Sequence, residues 1–365
     1  MNKNKVKGFS TFINRLSSQR LVSFSRLTVD NIPHVSKFLN YIWSQYYGKT
    51  GSPVFDEDYL SWVLGGPSKD KNLLYGAFVN DELVAYQSLL FRKISCCKKE
   101  LNAYLHTHRA VSPKLDMRLR MDCGFQMTLQ TMPIHPDSCY YDPNCDLVFG
   151  YLEETKLLKN VGDNILQKYF DIDRRTCGPF NQCVIMHGRL TKFLNEHADR
   201  KKLFNIRLAT EQDFTQLTSL FNQLPERPHF IMLMTEAELR HYCFGHSTHR
   251  TYVVEKDGKI DAFINFYPLE MIKEGKIFLY IIIDFLIADR VHENNNIYFA
   301  ALLHEAVKHA EEIKARSVVF ENATYLNYES FRTLGLIPSF RKMNMVLAAK
   351  DNSITYEGNF RCDVK

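Results

Sequence analysis

The sequence predicts an α/β protein, of the α+β mixed-sheet kind, made of two similar halves in tandem. Three observations carry that expectation. A chain of 365 residues with 45% apolar and 24% charged side chains is long for one ordinary core and suits two. The same series of elements, strand, helix, hairpin, strand, helix, strand, can be read twice along it. Its order is neither the strict strand-helix alternation of a doubly wound sheet nor an eightfold barrel.

The elements follow in order. Arg26-Leu-Thr-Val-Asp-Asn-Ile-Pro33 gives a short strand and a polar cap before an amphipathic helix through Val35, Phe38, Leu39 and Ile42. Arg207-Leu-Ala-Thr-Glu-Gln-Asp-Phe214 repeats this before Leu217, Leu220 and Phe221. Leu74 to Val79, a turn at Asn80-Asp81 and the run from Leu83 form a hairpin, matched by Thr251 to Glu255, Asp257-Gly258 and the run from Ile260. A third strand follows in each half, Tyr104 to Val111 and Phe278 to Ala288, and each feeds a helix. Asp146 to Gly150 and Ser317 to Glu321 read as buried strands followed by helices, and Arg174 to Phe204 reads as a connecting stretch. The expected boundaries are a basic leader over 1–24, a first domain over 25–180, a connector over 181–204, a second domain over 205–350 and a tail over 351–365.

Charge is concentrated at the start. The net charge is +5, yet Lys3, Lys5, Lys7, Arg15, Arg20 and Arg26 precede the first acid, Asp30, so residues 1–29 carry +6 and the rest −1. A nucleic-acid binder needs a basic stripe on its folded body, so none is expected here. The leader reads as a solvated tail, with a weak amphipathic surface anchor or an organelle presequence as the alternatives. The longest apolar run, Ile277 to Ala288, is interrupted by Asp284 and is shorter than a membrane span. Nine cysteines without a C-x-x-C pair suit reduced thiols in a cytoplasmic protein. Cys123, Cys139 and Cys145 with His135 lack metal-ligand spacing, so no metal is expected.

The segment Thr107-His-Arg-Ala-Val-Ser-Pro113 ends the third strand, and Lys114-Leu-Asp-Met-Arg-Leu-Arg-Met121 opens the next helix. Exposed amides at a helix start bind anions, and Arg118 and Arg120 are suited to pair with phosphates. The corresponding junction of the second half, Ala288-Asp-Arg-Val-His-Glu-Asn294, offers Asp289 and Glu293 and no glycine. That half is expected not to bind a phosphate-bearing donor.

This element order, with Ala110-Val111-Ser112-Pro113, resembles the GNAT acyltransferase superfamily. The resemblance implies that backbone amides of His108, Arg109, Ala110 and Val111 polarise an acyl-CoA thioester. It also implies that Lys114, Arg118, Leu119, Arg120 and Met121 hold the pyrophosphate. Leu119 and Met121 stand where that superfamily's loop usually has small residues. Over most of the chain the pieces resemble N-myristoyltransferases: Phe55-Asp-Glu-Asp-Tyr-Leu-Ser-Trp-Val-Leu-Gly-Gly-Pro67, Glu236-Ala-Glu-Leu-Arg-His-Tyr-Cys-Phe244, Phe266-Tyr-Pro-Leu269, Val291-His292 and Val319-Phe-Glu-Asn322. That family's glycine-rich segment should fall near Leu334 to Lys342, where this chain has Leu-Gly-Leu-Ile-Pro-Ser-Phe-Arg-Lys.

The resemblance implies an N-acyltransferase that moves a long acyl chain (myristoyl) from acyl-CoA to a peptide or protein amine such as an N-terminal glycine. A GNAT acetyltransferase using acetyl-CoA and a degenerate acyl- or peptide-binding protein stand as the alternatives. Phe55, Tyr59, Tyr267, Tyr280 and Asn322 would line the acceptor groove; Tyr267 and Tyr280 read more readily as core aromatics, and Asn322 equally as a turn residue. The C-terminal carboxylate of Lys365 would be the base, with His108 or Glu100 next; His108 otherwise reads as a packed strand histidine. A monomer is expected.

Overall fold

The computed structural model describes residues 22–96, 99–136, 138–153, 174–224, 229–289, 295–320, 333–351 and 359–361. The first half contains β1 (Ser23–Leu27), α1 (Ile32–Tyr47), β2 (Ser52–Pro53), α2 (Glu57–Leu64), β3 (Leu73–Val79), β4 (Glu82–Cys96), β5 (Lys99–Val111), α3 (Met117–Thr131), β6 (Leu147–Glu153) and β7 (Arg174–Ile185). After α4 (His187–Glu196) and α5 (Ala198–Lys201) come β8 (Asn205–Leu208), α6 (Phe214–Phe221), β9 (His229–Leu233), α7 (Glu236–Phe244), β10 (Arg250–Lys256), β11 (Lys259–Lys273) and β12 (Lys276–Ala288). The chain ends with α8 (Asn295–Glu312), β13 (Ser317–Phe320), β14 (Leu336–Ala349) and β15 (Asn359–Arg361).

The repeat is visible in the sheet. Its order is β1-β3-β4-β5-β6-β14-β7-β13-β12-β11-β10-β8, which reads alike from both edges. Each half exchanges its last strand: β14 inserts beside β6, and β7 beside β13. The expectation that Arg174 to Phe204 is a connector is therefore corrected, because its first twelve residues lie at the centre of the sheet. Gly178-Pro179 hides this strand from a propensity reading. Proline lacks a ladder donor and is tolerated at irregularities, and the β7–β14 register shifts between Met343 and Met345, opposite that dipeptide.

Local chemistry sets where the helices begin. Asp56 caps α2 by accepting from the Tyr59 amide at 2.6 Å, and Thr235 with Glu238 forms a reciprocal capping box on α7. At the start of the second repeat, Arg207 clamps Asp213 at 2.7 and 2.9 Å. These bonds hold the Asp213 carboxyl at about 2, below the ordinary carboxylate range.

The largest core lies between the halves. Val35 and Leu39 of α1, Leu60 and Trp62 of α2, Phe214, Leu217 and Phe221 of α6, and Phe230 of β9 are all buried in one cluster. Each such large apolar side chain contributes about 1.5–3 kcal/mol by leaving water. Three buried clusters serve the other face, one around α8 and two around α3.

Candidate active site

β5 and β6 run parallel, with paired residues from Ala103–Leu147 to His106–Gly150. There the pairing stops, although β5 continues to Val111 and β6 to Glu153. Gly150 sits at this last rung because a Cβ there would meet the His106 carbonyl oxygen at 3.0 Å. The backbone of 107–111 thus faces a wedge on its β6 side while its other side stays paired to β4.

A β-bulge re-aims this segment. The β4–β5 register passes from Tyr86–Ala110 to Ser88–Thr107, leaving one extra residue on β5, and His108 takes φ 49°. A left-handed non-glycine residue costs on the order of 1 kcal/mol and needs surroundings that impose it. The His108 ring is buried, with Nδ1 3.0 Å from Ser88 Oγ and its edge against Phe55 at a centroid distance of 5.5 Å. Ser88 Oγ donates to the Thr107 carbonyl at 3.2 Å, which assigns the Nδ1 proton to the histidine. Burial lowers the His108 pKa to about 4, so the imidazole is neutral at pH 7 and fixes the bulge rather than moving protons.

Phe55 is itself held by α1. Its carbonyl accepts from Ser36 Oγ at 2.6 Å and Asn40 Nδ2 at 3.0 Å, and its amide donates to Asn40 Oδ1 at 2.8 Å. On the opposite face of β5, His106 Nε2 bonds Gln87 Oε1 at 3.1 Å. Arg109 donates to the Gly124 carbonyl of α3 at 2.6 Å, so the bulge and the helix are tied directly.

The loop into α3 is equally fixed. Ser112 donates its amide to the Val84 carbonyl at 2.8 Å. Asp116 caps the helix by accepting from Leu119 N–H at 2.8 Å. Arg120 donates to the carbonyls of Pro113 and Leu115 at 3.1 and 3.0 Å, so its guanidinium staples the loop. Arg118 is exposed on the first turn. Lys114 lies 3.7 Å from Glu82 and over the Tyr41 ring; Leu119 is half-buried and Met121 exposed.

Of the expected groove aromatics, Phe55 and Tyr267 are buried in the core, which corrects their place on a groove wall, and with the half-buried Tyr59 they form one chain of rings. From His108 it passes through Phe55 to Tyr59 at 6.1 Å, and from Tyr59 to Tyr267 at 6.3 Å and Trp62 at 5.9 Å. Trp62 packs on His249 at 4.2 Å and Tyr267 at 5.3 Å, and His249 stacks on Tyr267 at 4.9 Å. Tyr280 is half-buried on β12, paired across to Leu269. Trp62 stood inside a motif already singled out. His249 and Ser88 had no sequence signal, since a lone histidine before a hairpin and a serine in an apolar strand are ordinary.

Asn322, Lys365 and Glu293 lie outside the described residues. Glu100, a fallback base, pairs with Ser95 near the far end of β5. Eight residues of strand, about 26 Å, separate it from His108, too far for it to act at the bulge. In the second half Asp289 is buried, its carboxylate 2.7 Å from Lys259 Nζ. Among the described residues no cluster of metal-ligating side chains occurs, and no helix is long and apolar enough to cross a membrane.

Residues 186–331 match the family model of the C-terminal domain of myristoyl-CoA:protein N-myristoyltransferase. The structure is similar to Saccharomyces cerevisiae N-myristoyltransferase with bound myristoyl-CoA, at TM-score 0.64 and 16% identity, over 92% of this chain and 83% of that one. It is also similar to a tandem GNAT protein of the clavulanic acid biosynthesis pathway, at TM-score 0.54 and 11% identity, over 91% of this chain and 99% of that one. A probable N-acyltransferase from Enterococcus faecalis V583 gives TM-score 0.53 and 9% identity, over 89% and 72%. A search of curated protein sequences finds no match. The fold is N-myristoyltransferase-like, with its second half matched by sequence as well as by structure.

Proposed function

We propose that this chain is an acyl-CoA-dependent N-acyltransferase with one active site in its first half, transferring a long acyl chain such as myristoyl to a peptide or protein amine. The observation that carries the reading is the wedge between β5 and β6, opened at a bulge in which His108 is forced left-handed. Backbone donors fixed at such a wedge suit an oxygen that gains negative charge. The second-half family match supports the same chemistry.

The donor fits the residues present. The α3 start supplies backbone amides and Arg118 for phosphate groups, and the backbone around His108 to Val111 faces the thioester oxygen. Phe55 and Tyr267 are buried and bridge both halves beneath the site, and the half-buried Tyr59 is the one of the three that an acceptor can meet. The acceptor's neutral amine attacks the carbonyl carbon, the new N–C bond forms, and the C–S bond breaks. CoA thiolate leaves, and a base takes the amine proton.

His108 is a poor base at its lowered pKa and in its bond to Ser88. The tail is the better source. β15 pairs parallel with β9, and β9 pairs antiparallel with β4. β15 therefore lies one strand away from β4, across β9, and points toward the Ser88 end of β4. We assign the base to the chain beyond Arg361, with Lys365 as the candidate.

The test is to incubate purified protein with acetyl-, medium-chain and myristoyl-CoA and an N-terminal glycine peptide, measuring CoA release. Myristoyl-CoA should turn over and should raise Tm well beyond acetyl-CoA, since each buried methylene adds roughly 0.8 kcal/mol. Equal shifts would leave a general acetyltransferase. Binding without CoA release would leave a degenerate acyl-binding protein.

A further inference from the structure

Tyr86 pairs with Ala110 in the β4–β5 register, on the rung next to the bulge, and its side chain is completely buried. Its hydroxyl has no hydrogen-bond partner among the described residues. Ser88 stands close to it, but Ser88 Oγ is engaged by His108 Nδ1 and the Thr107 carbonyl, and no hydrogen bond joins the two hydroxyls. A buried hydroxyl without a partner destabilises a fold, and a phenylalanine would fill the same space without that penalty. Buried tyrosines usually find a partner, so this one marks a place suited to a polar atom from outside the chain.

The surroundings define what can bring that atom. Tyr86 belongs to the apolar cluster that holds Leu39 and Ile42 of α1, Leu90 of β4, and Leu105 and Ala110 of β5, and α1 packs across both strands. The His108 ring lies on the same face, against Phe55. The wedge opens on the far side of β5 from β4, so the Tyr86 hydroxyl is not placed to share the thioester oxygen with the backbone of His108 to Val111. It lies within about two strand residues of the bulge, a distance that the first few carbons of an acyl chain cover. Burial raises its pKa far above the ordinary tyrosine value, so it stays protonated and acts as a donor.

We propose that Tyr86 selects the donor: its hydroxyl donates to an oxygen carried on the acyl chain a few carbons from the thioester, so that the preferred co-substrate is a long-chain acyl-CoA with a hydroxyl or keto group near its head. The inference rests on the acyl-CoA reading above and adds the class of chain. An unsubstituted chain meets the same apolar surroundings and leaves the phenol unpaired, whereas an oxygenated one satisfies it where water does not compete.

The experiment is calorimetric binding of three donors to the full chain and to Tyr86→Phe: myristoyl-CoA, the same donor with a hydroxyl on its third carbon, and one hydroxylated at its far end. The wild type should bind the head-hydroxylated donor about five- to tenfold more tightly than myristoyl-CoA, and the tail-hydroxylated one no better. Tyr86→Phe should erase that preference and bind myristoyl-CoA at least as tightly. It should also raise the Tm of the protein alone by about 1–2 °C, because the unpaired hydroxyl is gone. Equal wild-type affinity for myristoyl-CoA and its head-hydroxylated form, or a preference that survives Tyr86→Phe, would overturn the proposal. So would a lower Tm for Tyr86→Phe, the mark of a hydroxyl bonded within the protein. Binding of none of the donors would overturn the acyl-CoA reading and this proposal with it, a result distinct from equal binding.

Discussion

The two halves have the same topology and opposite junctions between their third strand and following helix. In the first, the bulge residue is His108, neutral and left-handed, and the chain then passes to an exposed α3 start carrying Met117, Arg118 and Met121. In the second, the β11–β12 register also shifts by one residue, at Asp284, but Asp289 ends the strand buried and bonded to Lys259. The helix that follows, α8, buries Ile297 through Leu303 without a break. The fold thus supplies a one-residue bulge in this strand twice, followed in one copy by an exposed helix start and in the other by a buried carboxylate held by a lysine. The second copy has become the packing partner of the first.

The largest effect should come from the seam that couples the halves. Trp62 is buried against Tyr242, His249 and Tyr267, and its Nε1 donates to the His241 carbonyl at 3.2 Å. Trp62→Ala should cost about 3–5 kcal/mol, read as a lower urea midpoint for one cooperative transition. Two separate transitions in the wild type would break the view that the halves fold as a unit.

The next effect concerns pH. His108 is held neutral by desolvation with a pKa near 4, below the unfolded value of about 6.5. The unfolded chain therefore binds the extra proton between these values. The stabilisation is complete above about pH 6.5 and is lost as pH falls toward 4, by on the order of 3 kcal/mol at most. His108→Asn, which tolerates φ 49°, should reduce the slope of stability against pH over that window in thermal melts, the slope that remains belonging to His106, which burial and Arg109 push down to about 3.

Smaller changes sharpen the contrast between the junctions. Arg118→Ala should weaken CoA binding about fivefold at low salt and less at high salt, whereas Asp289→Asn should leave it unchanged in the same titration. Asp116→Asn keeps an N-cap while removing a negative charge from the α3 start. CoA affinity should rise about twofold in calorimetry, with Tm nearly constant.

Much of this arrangement was legible in the sequence. Turn dipeptides, periodic apolar residues and the repeated cap before α1 and α6 are local signals, and they placed the repeat and the Thr107–Pro113 segment. Phe55, Tyr59 and Tyr267 lie up to 212 residues apart in number, and only motif likeness joined them before their rings met in space. What could not be read is non-local. Arg120 turning back to Pro113, Ser88 holding His108, and β7 entering the centre of the sheet all depend on where distant backbone ends up. Gly178 and Pro179 argued locally against a strand that its neighbours impose.

The strand exchange also dictates how the protein must be made. β6 ends at Glu153, but the strand beside it, β14, begins at Leu336. While the ribosome is still translating the intervening stretch, the wedge strand of the finished first half has an open edge, and open edges invite pairing with other chains. The first half, although synthesised first, has its sheet completed only once β14 has been made.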